Sequence, residues 1–280
     1  MYTILKKHAL GPQVKEYAVK APLVAKAAKA GQFVVVRLHK QGERIPLTLA
    51  DWDPEEGTIT LVVQEVGKTT RELGDCFEVG DAIQDVAGPL GEPSEIHRYG
   101  TVVCVAGGVG IAPIHPIARA LKEAGNHVIG IVGARSRNLL FWLDRLERVT
   151  DELIITTDDG SYGRKGLVTE PLKEVLTARK VDRVWAIGPA IMMKFCSLAC
   201  HEAGVPVIVS LNPIMVDGTG MCGACRVEVD GQVRFACVDG PEFPGDKVNW
   251  DLLIARLSAF KEQERCALDR YLSTSKEATR

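Results

Sequence analysis

The cysteine-rich stretch from Asp217 to Cys225 most constrains how this chain folds, because several thiols must converge on one point. Two residues separate Cys222 from Cys225, eleven separate Cys225 from Cys237, and glycines surround the first pair. Asp217 stands where a plant-type C-x4-C-x2-C series has its first cysteine. The D-x4-C-x2-C-x11-C pattern predicts a 2Fe–2S cluster held by three thiolates, with Asp217 as a candidate fourth ligand.

Other interpretations of the same residues stay open at this point. A C-x2-C pair also occurs in structural zinc sites, although neither a second close pair nor a histidine pair follows here. The pair can form a thioredoxin-like redox site, or the thiols can be buried or joined in a disulfide. Asp217 precedes a glycine, so it can equally be a turn residue of the Asx type.

Length and composition limit the function classes. A chain of 280 residues has room for two domains and a small appendage. A net charge of −2 and a pI near 6.3 do not indicate nucleic-acid binding. The sequence contains neither a signal-peptide pattern nor an apolar stretch long enough to span a membrane, so no membrane association is expected. With eight cysteines and no export signal, we expect a reducing cytoplasm.

Residues 1–97 are predicted to form a small β-barrel. Short apolar or alternating runs recur between Gly and Pro turn signals, at Val14–Val19, Phe33–Leu38, Thr58–Val66 and Ala82–Val86. One short helix is expected near Thr69–Leu73. No long helical period interrupts the strands.

Three segments of this barrel have residue types suited to binding a cofactor. Alternation along a strand places Arg44, Pro46 and Thr48 on one face, where the Arg can meet a phosphate and the Thr a polar ring atom. The turn Gly67-Lys68-Thr69-Thr70 follows a strand and offers backbone N–H groups and hydroxyls to a pyrophosphate. The third segment, Gly88–Gly91, is a tight turn. Each signal is weak by itself, since Arg44 can be a solvated charge and Gly67-Lys68 an ordinary turn.

Residues 98–213 alternate between strand and helix patterns, which predicts a doubly wound parallel sheet. The strand Thr101–Ala106 leads into the glycine-rich turn Gly107–Pro113 and then a helix, the arrangement of a dinucleotide-phosphate site. The G-x-G-x-x-G fingerprint is absent. Further helices are expected at Leu139–Thr150 and Ala190–Ala203, among others.

Polar residues at the carboxyl edge of this predicted sheet bear on nucleotide choice. Arg135 and Arg137 can bind a ribose 2′-phosphate, which would mean NADP, or can be exposed loop charges. On a later helix, Cys196 and Cys200 are interpreted as buried thiols rather than as a metal site.

The remaining residues form the cluster module and a tail. Residues 214–249 hold the cysteine loop and a hairpin turning at Asp230-Gly231, which returns the chain towards Cys237. Residues 250–280 are interpreted as a tail in which one helix covers Trp250–Tyr271, either as a lid or as a docking helix for a partner.

These motifs, in this order, resemble the ferredoxin–NADP reductase superfamily. The resemblance rests on Arg44–Thr48, Gly67–Thr70, Gly88–Gly91, Gly107–Pro113 and the cysteine loop. More narrowly, the chain is similar to the electron-transfer subunits of dihydroorotate dehydrogenase and of sulfide dehydrogenase. Asp217 departs from the four cysteines of the former and resembles the small subunits of NADH-dependent reduced ferredoxin:NADP oxidoreductases, in which an Asp is a cluster ligand.

The resemblance implies an FAD-binding β-barrel, an NAD(P)-binding α/β domain and a C-terminal 2Fe–2S module. FAD would be held by the barrel, the nicotinamide nucleotide by the parallel sheet, and the cluster by the cysteine loop. The implied FAD residues are Arg44, Pro46, Leu47, Thr48, Gly67, Lys68, Thr69 and Thr70. The implied nucleotide residues are Gly108, Val109, Gly110, Ile111, Ala112, Pro113 and Asp158, with NAD(H) as the family's nucleotide and NADP(H) left open.

The function that the resemblance implies is electron transfer between NAD(H), FAD and the cluster. The chain would be a subunit of a complex with a larger flavoprotein and iron–sulfur subunit, which bifurcates electrons and reaches ferredoxin. No side-chain nucleophile or acid–base pair is required, because the cofactors supply the chemistry. Two alternatives remain: a dihydroorotate dehydrogenase electron-transfer subunit, and a cluster-binding redox sensor without turnover.

Overall fold

A computed structural model describes the backbone of residues 1–278 and the side chains of residues 1–273. In chain order it contains a β-barrel, a parallel sheet flanked by helices, a small cluster module and two terminal helices. The predicted fold class is therefore confirmed. The division of the chain at residues 97, 213 and 249 stays a prediction.

The barrel is built from two antiparallel sheets with strand orders β5-β6-β2-β1-β7 and β4-β3-β8. Along β6, half-buried and buried residues alternate, which places Ile59, Leu61 and Val63 in the barrel core. The elements of this part are β1 (Tyr2–Gly11), β2 (Val14–Lys20), α1 (Pro22–Ala27), β3 (Phe33–Arg37), β4 (Arg44–Thr48), β5 (Asp51–Asp53), β6 (Thr58–Gln64), α2 (Lys68–Cys76), β7 (Ala82–Ile83) and β8 (Asp85–Leu90).

The two faces of β3 contact different parts of the molecule. Val34 and Val36 point into the barrel core, whereas Phe33 and Val35 belong to the core shared with the parallel sheet and the cluster module. Since side chains alternate along a strand, the outer face of β3 becomes a joint between the barrel and the rest of the chain.

The second part is a sheet with the order β12-β11-β10-β9-β13-β14-β17, in which every pair except β14–β17 is parallel. Val103 and Val105 of β9 pack towards α5 and α6, whereas Val102 and Cys104 pack towards α3. Both faces of β9 are therefore covered, as in doubly wound folds. The elements are β9 (Thr101–Gly107), α3 (Ile111–Glu123), β10 (His127–Ala134), α4 (Leu143–Val149), β11 (Glu152–Thr157), β12 (Arg164–Lys165), α5 (Thr169–Ala178), β13 (Arg183–Ile187), α6 (Ala190–Glu202) and β14 (Val207–Ser210).

The cluster module is joined to both preceding parts. Its hairpin, β15 (Arg226–Val229) and β16 (Gln232–Phe235), turns at Asp230 and Gly231, both with positive φ as a two-residue hairpin requires. Its last strand, β17 (Glu242–Pro244), pairs antiparallel with β14 and so extends the parallel sheet. The backbone N–H of Glu92, just after β8, donates to the carbonyl of Gly240 at 2.6 Å.

Several sequence-based expectations need correction. The helix expected over Leu139–Thr150 begins only at Leu143, because Trp142 adopts the left-handed conformation at φ 54°. Strand β1 and helix α1 were not expected. The tail is two helices, α7 (Trp250–Leu257) and α8 (Lys261–Ala278), because i to i−3 hydrogen bonds at Ser258 and Ala259 interrupt the expected single helix.

Among the described helices, none combines the length and the apolar character that crossing a membrane requires.

Candidate functional site

A cleft of about 1010 Å³ opens where the barrel, the parallel sheet and the cluster module meet. Its volume is at the upper end of the range of small-molecule sites, which suits ligands as large as dinucleotides. The barrel contributes Phe33, Pro46, Leu47, Thr48, Val62, Gln64 and Val66, among others, and the cluster module and its approach contribute Asn212, Pro213, Met215 and Pro241. All three parts of the chain therefore line one site.

The glycine-rich turn after β9 forms the floor of the cleft on the sheet side. A Cβ on Gly110 would lie 2.1 Å from the carbonyl oxygen of Ile187, so this glycine is needed for packing. Gly108 has φ +56°, and a Cβ there would meet no atom within 4 Å, so its free side faces open space. Gly108 thus gives a ligand close access to the backbone directly before α3, where anions are favoured.

Most of the predicted cofactor residues line this cleft. They are Pro46, Leu47 and Thr48 from β4, Gly108, Val109, Gly110, Ala112 and Pro113 from the glycine turn and α3, and Asp158 after β11. Ile111 is buried behind the turn. Arg44 and Gly67–Thr70 do not line the cleft, although Val66 does.

The side chains at the start of α2 are occupied by contacts within the protein. Thr70 Oγ1 accepts the N–H of Gly67 at 3.0 Å, and the hydroxyl of Thr69 donates to Glu43. Only backbone N–H groups and the Lys68 side chain remain to bind a phosphate there.

At the carboxyl edge of the sheet, the two arginines that could select between NAD and NADP have different surroundings. Arg135 lines the cleft beside Asp158, whereas Arg137 does not, and its guanidinium stacks on Tyr162 with 5.4 Å to the ring centroid. Asp159 accepts hydrogen bonds from both the N–H and the hydroxyl of Ser161, and the Ser161 hydroxyl accepts the N–H of Arg137.

The cluster loop brings two of the predicted ligands into contact. The Sγ atoms of Cys225 and Cys237 are 3.2 Å apart and both residues are buried, whereas Cys222 is exposed. None of these thiols is in a disulfide. Across the described residues, the side chains do not form any group of three or more His, Cys, Asp or Glu that could hold a metal ion.

Backbone N–H groups of the same loop are directed at the sulfur atoms. Those of Ala224 and Asp217 lower the pKa of the Cys222 thiol. Burial, together with the neighbouring Cys225, raises the pKa of Cys237 to about 12, while the N–H of Gly220 acts against this shift. Thiols with N–H donors around them are the type of donor that an iron–sulfur cluster uses, and two of the predicted ligands, Cys225 and Cys237, face each other. The donor chemistry of the loop therefore fits such a cluster.

Asp217 adopts the turn geometry that its sequence also allowed. Its Oδ2 accepts the N–H of Thr219 at 2.9 Å and also the Thr219 hydroxyl, and both contacts lower the pKa of the Asp217 carboxyl. The turn holds the carboxylate next to Cys222, whose thiol it influences electrostatically. An Asx turn and a ligand role do not exclude each other, because a carboxylate has lone pairs to spare.

The cluster loop rests on the outer face of the barrel sheet. A Cβ on Gly218 would lie 2.8 Å from Val35 Cγ2 and 3.0 Å from Leu90 Cδ1, so only glycine allows this approach. Val35 is on the same face of β3 as Phe33, which lines the cleft. One sheet face thus contacts both the cleft and the cluster loop.

Sequence reasoning missed several residues that line the cleft. Phe33 follows from the alternation of β3 once its outer face is known to be covered. Met215 and Pro241 lie beside the cysteine loop, and no pattern in the sequence indicates that the module returns to the cleft. Their positions depend on the pairing of β17 with β14.

Comparison with known proteins adds to this geometry. Residues 212–249 match the family of iron–sulfur cluster binding domains of dihydroorotate dehydrogenase B. The dihydroorotate dehydrogenase B (NAD(+)), electron transfer subunit homolog of Thermotoga maritima is 55% identical over 275 residues, covering 98% of this chain and 97% of that protein. The dihydroorotate dehydrogenase B (NAD(+)), electron transfer subunit of Desulforamulus reducens is 34% identical over 256 residues, covering 89% and 97%.

Solved structures of related proteins resemble this chain as well. A chain of the NADH-dependent reduced ferredoxin-NADP oxidoreductase, solved to study flavin-based electron bifurcation, is 54% identical with a TM-score of 0.92, covering 97% of this chain and 98% of that one. Phthalate dioxygenase reductase is 17% identical with a TM-score of 0.58, covering 81% and 85% of the two chains. The latter likeness concerns the fold alone.

Proposed function

We propose, because this chain belongs to the family of dihydroorotate dehydrogenase B electron-transfer subunits and their homologues, that it transfers electrons between a nicotinamide nucleotide, FAD and an iron–sulfur cluster. In its specific form, the proposal makes it the smaller subunit of an electron-bifurcating NADH-dependent reduced ferredoxin–NADP oxidoreductase. One observation carries the proposal most directly: barrel, sheet and cluster module line a single cleft, and the cluster loop rests on a sheet face that lines it.

In this proposal, the barrel residues of the cleft bind one cofactor and the residues of the parallel-sheet domain bind the other. Pro46, Leu47 and Thr48 of the barrel would hold the flavin, and the turn Gly108–Pro113 with Asp158 would hold the nicotinamide nucleotide. FAD, when bound, exchanges two electrons with the nucleotide and single electrons with the cluster. The walls of the cleft are mostly apolar, and Gly108 allows the nucleotide phosphates to approach the backbone.

We propose that the cluster is of the 2Fe–2S type, with Cys222, Cys225, Cys237 and Asp217 as ligands. The spacing of the cysteines and the N–H donors around their sulfur atoms support this assignment. Asp217 supplies a harder ligand than a thiolate, held in place by the Thr219 turn.

We further propose NAD(H) rather than NADP(H) as the nucleotide. A carboxylate near the ribose suits the 2′-hydroxyl of NAD, and Asp158 lines the cleft. Of the two arginines that could bind a 2′-phosphate, Arg137 is stacked on Tyr162, whereas Arg135 lines the cleft beside Asp158. The name of the Thermotoga maritima relative contains NAD(+), and that of the structural relative contains both NADH and NADP.

The proposed partner is a larger flavoprotein and iron–sulfur subunit, through which electrons reach ferredoxin. The structural relative is a reduced ferredoxin–NADP oxidoreductase, and this chain matches 98% of one of its chains. We place the complex in the cytoplasm, because eight cysteines without a disulfide suit a reducing compartment.

Anaerobic purification followed by titration with NADH tests the proposal. The expected protein contains FAD and an iron–sulfur cluster in a ratio near one to one, and NADH bleaches the flavin absorbance and then reduces the cluster. NADPH should act more weakly on this subunit. A protein that contains a cluster but no flavin, and that NADH does not reduce, would instead be a redox sensor.

A second candidate function has support from the iron–sulfur domain, which matches that of dihydroorotate dehydrogenase B. Under this alternative the partner is a dihydroorotate dehydrogenase catalytic subunit. Affinity purification of the chain from its own cells decides between the two, because the proposed complex contains a large subunit with its own FAD and iron–sulfur centres. Recovery of a dihydroorotate-oxidising partner would establish the alternative.

A further inference from the structure

Glu16 is a buried acidic residue of the barrel that the proposed function does not use, and its side chain is only 4% exposed. Val14 and Glu16 are two residues apart on β2, so their side chains share one face of the strand. Val14 lines the cleft and packs in the core on the sheet side, whereas Tyr17, on the opposite face of β2, packs in the barrel core. Glu16 therefore lies where the barrel meets the parallel-sheet domain, next to the wall of the cleft.

The main partners of Glu16 come from the parallel-sheet domain. Trp142 Nε1 donates to Glu16 Oε2 at 2.8 Å, and Arg145 Nη2 lies 3.3 Å from the same oxygen. The Arg145 guanidinium also lies over the Trp142 ring, 4.2 Å from the ring centroid. Lys6 of the neighbouring strand β1 completes the set, with its Nζ 3.0 Å from Glu16 Oε1. We name Glu16, Trp142 and Arg145 the barrel–sheet latch.

Trp142 has a backbone conformation that large side chains rarely adopt, with φ 54°. Phe141, the residue before it, lines the cleft, while the Trp142 indole reaches Glu16. Backbone conformations of this kind persist where surrounding contacts hold them, and they cluster at functional sites. The latch is thus one residue from the cleft wall on the sheet side, at Phe141, and two residues from it on the barrel side, at Val14.

The latch fixes the position of one domain on the other in a way that apolar packing does not. Apolar contacts are not directional, so by themselves they let two domains of a chain shift against each other. Charge-assisted hydrogen bonds need short, aligned contacts. A buried carboxylate that loses its partners is strongly destabilising, so Glu16 favours the one arrangement in which Trp142 and Arg145 reach it.

We propose that the barrel–sheet latch sets the separation of the two cleft walls, and thereby the contact between a flavin on the barrel wall and a nicotinamide on the sheet wall. The inference rests on the proposed function, because it requires both ligands in this cleft. The nicotinamide gives a hydride, one proton with two electrons, to the flavin, so NADH is oxidised and the flavin is reduced. Glu16 and Trp142 do not line the cleft and act as positioning residues.

The size of the expected effect follows from the geometry of hydride transfer. The reacting atoms must come within about 3–3.5 Å of each other, and a misplacement of about 1 Å can slow a reaction roughly 100-fold. A latch variant that shifts the walls by a fraction of this distance should slow flavin reduction roughly tenfold. The affinities for FAD and NAD+ should stay those of the wild type, because each ligand binds to residues of one wall.

Two variants of the full-length, cofactor-loaded protein test the latch. Trp142→Phe keeps an aromatic ring but removes the donor to Glu16. Glu16→Leu/Trp142→Phe also removes the buried charge, and replacing a buried charged contact by apolar residues is often neutral for stability. In both we expect a loss of most of the long-wavelength charge-transfer absorbance that NAD+ gives with the chemically reduced protein. Stopped-flow reduction at saturating NADH should slow in both, while FAD content and the dissociation constant for NAD+ are unchanged.

A conservative variant and a control accompany them. Glu16→Gln still offers an oxygen to the Trp142 N–H, so it should retain the charge-transfer absorbance and the reduction rate. Arg119→Gln removes another ion pair between barrel and sheet, in which Arg119 Nη1 lies 2.8 Å from Asp51 Oδ1. It should lower the melting temperature without changing absorbance or rate.

The proposal is overturned if Trp142→Phe keeps the wild-type absorbance and rate, or if Glu16→Gln or Arg119→Gln loses as much as Trp142→Phe does. Recovery in the double variant would also overturn it, since the loss in Trp142→Phe would then come from an unpaired buried charge. Failure of the proposed function looks different, because the wild-type protein itself would give neither charge-transfer absorbance nor reduction by NADH.

Discussion

The cleft and the cluster loop are built from the chain in opposite ways. The cleft depends on backbone packing deep in the molecule, where Gly110 touches the carbonyl of Ile187 and Gly107 touches Met192. The cluster loop depends on a few side chains, of which Cys222 and Met221 (89% exposed) are at the surface and Cys225 and Cys237 are buried. Substitutions in the cleft should therefore act through stability, whereas substitutions in the loop should act through cofactor content and spectra.

The largest expected effect comes from removing a buried thiol of the loop. Cys237→Ala should abolish the iron–sulfur absorbance and EPR signal while the ratio of FAD to protein stays close to that of the wild type. The reason is that the thiolate is the ligand, whereas the cleft takes none of its walls from Cys237.

The control for this variant is Cys200→Ala, which removes another fully buried free thiol from α6. Both variants lose similar packing, but Cys237→Ala also loses the stabilisation that a bound cluster gives, so its melting temperature should fall further than that of Cys200→Ala, which should retain the cluster. Loss of FAD together with the cluster in Cys237→Ala would show that the two sites are not separable.

The cleft is tested by two glycines of the same turn. In Gly110→Ala the new methyl group would lie 2.1 Å from a backbone oxygen, so we expect a loss of about 3 kcal/mol in the free energy of unfolding. In Gly108→Ala the methyl group faces open space at φ +56°, so the loss should be only about 1 kcal/mol, while nucleotide affinity falls. Denaturant titration and NADH binding measure the two effects, and equal destabilisation would contradict this assignment of roles.

The sequence predicts those parts of the structure that depend on local patterns, and it misses those that depend on contacts between distant residues. The strand Thr58–Val66, the turn Gly107–Pro113 and the hairpin at Asp230-Gly231 are local patterns, and each is confirmed within a few residues. β1 was missed because Lys6, Lys7 and His8 break its apolar pattern, and it is held by pairing with β2 and β7 instead.

The site was predictable to the extent that its residues are close in sequence. The predicted residues of β4 and of the glycine turn, Arg44 and Ile111 excepted, line the cleft, and Cys225 meets Cys237. The contact of Gly218 with Val35 joins residues far apart in the chain, and no periodicity or spacing encodes it.

Glu242 lies between the cleft and the cluster module. The pH dependence that its carboxyl gives to the stability of the protein is a further, smaller expected effect. The residue lies in β17 directly after Pro241 of the cleft wall, and its carboxyl bonds to the Ser94 hydroxyl at 2.6 Å and to Trp185 Nε1 at 3.2 Å. Burial raises the pKa of Glu242 above its usual value. The folded state thus holds this proton more tightly than the unfolded state, so stability falls as pH rises from the unfolded pKa through the folded one.

Glu242→Gln should remove this fall, because the amide keeps both hydrogen bonds without a charge. At pH 8 we expect its melting temperature to exceed that of the wild type by roughly 2–4 °C, the shift that about 1 kcal/mol gives in a chain of this size. At pH 4 the two should melt together. Glu242→Ala, the control, should melt lower at every pH, and parallel pH profiles for wild type and Glu242→Gln would rule out the assignment.

Glu16, at the joint between barrel and sheet, makes stability depend on pH in the direction opposite to Glu242. Burial raises its pKa, but contacts with Lys6, Trp142 and Arg145 outweigh burial and leave the pKa below its usual value. Stability from Glu16 is therefore present above the unfolded pKa and is lost as pH falls through the folded one. This loss is common to the wild type and the Glu242 variants, so it does not affect their comparison.

The smallest expected effect, and the sharpest for the cluster loop, concerns Asp217. Asp217→Cys should retain the cluster with altered EPR g-values and potential, because a thiolate replaces a carboxylate. Asp217→Asn keeps the acceptor that forms the turn with Thr219 but is a poor ligand for iron, so cluster yield should fall. If Asp217 only shapes the turn, Asp217→Asn will instead give full cluster content, and both variants will have wild-type spectra.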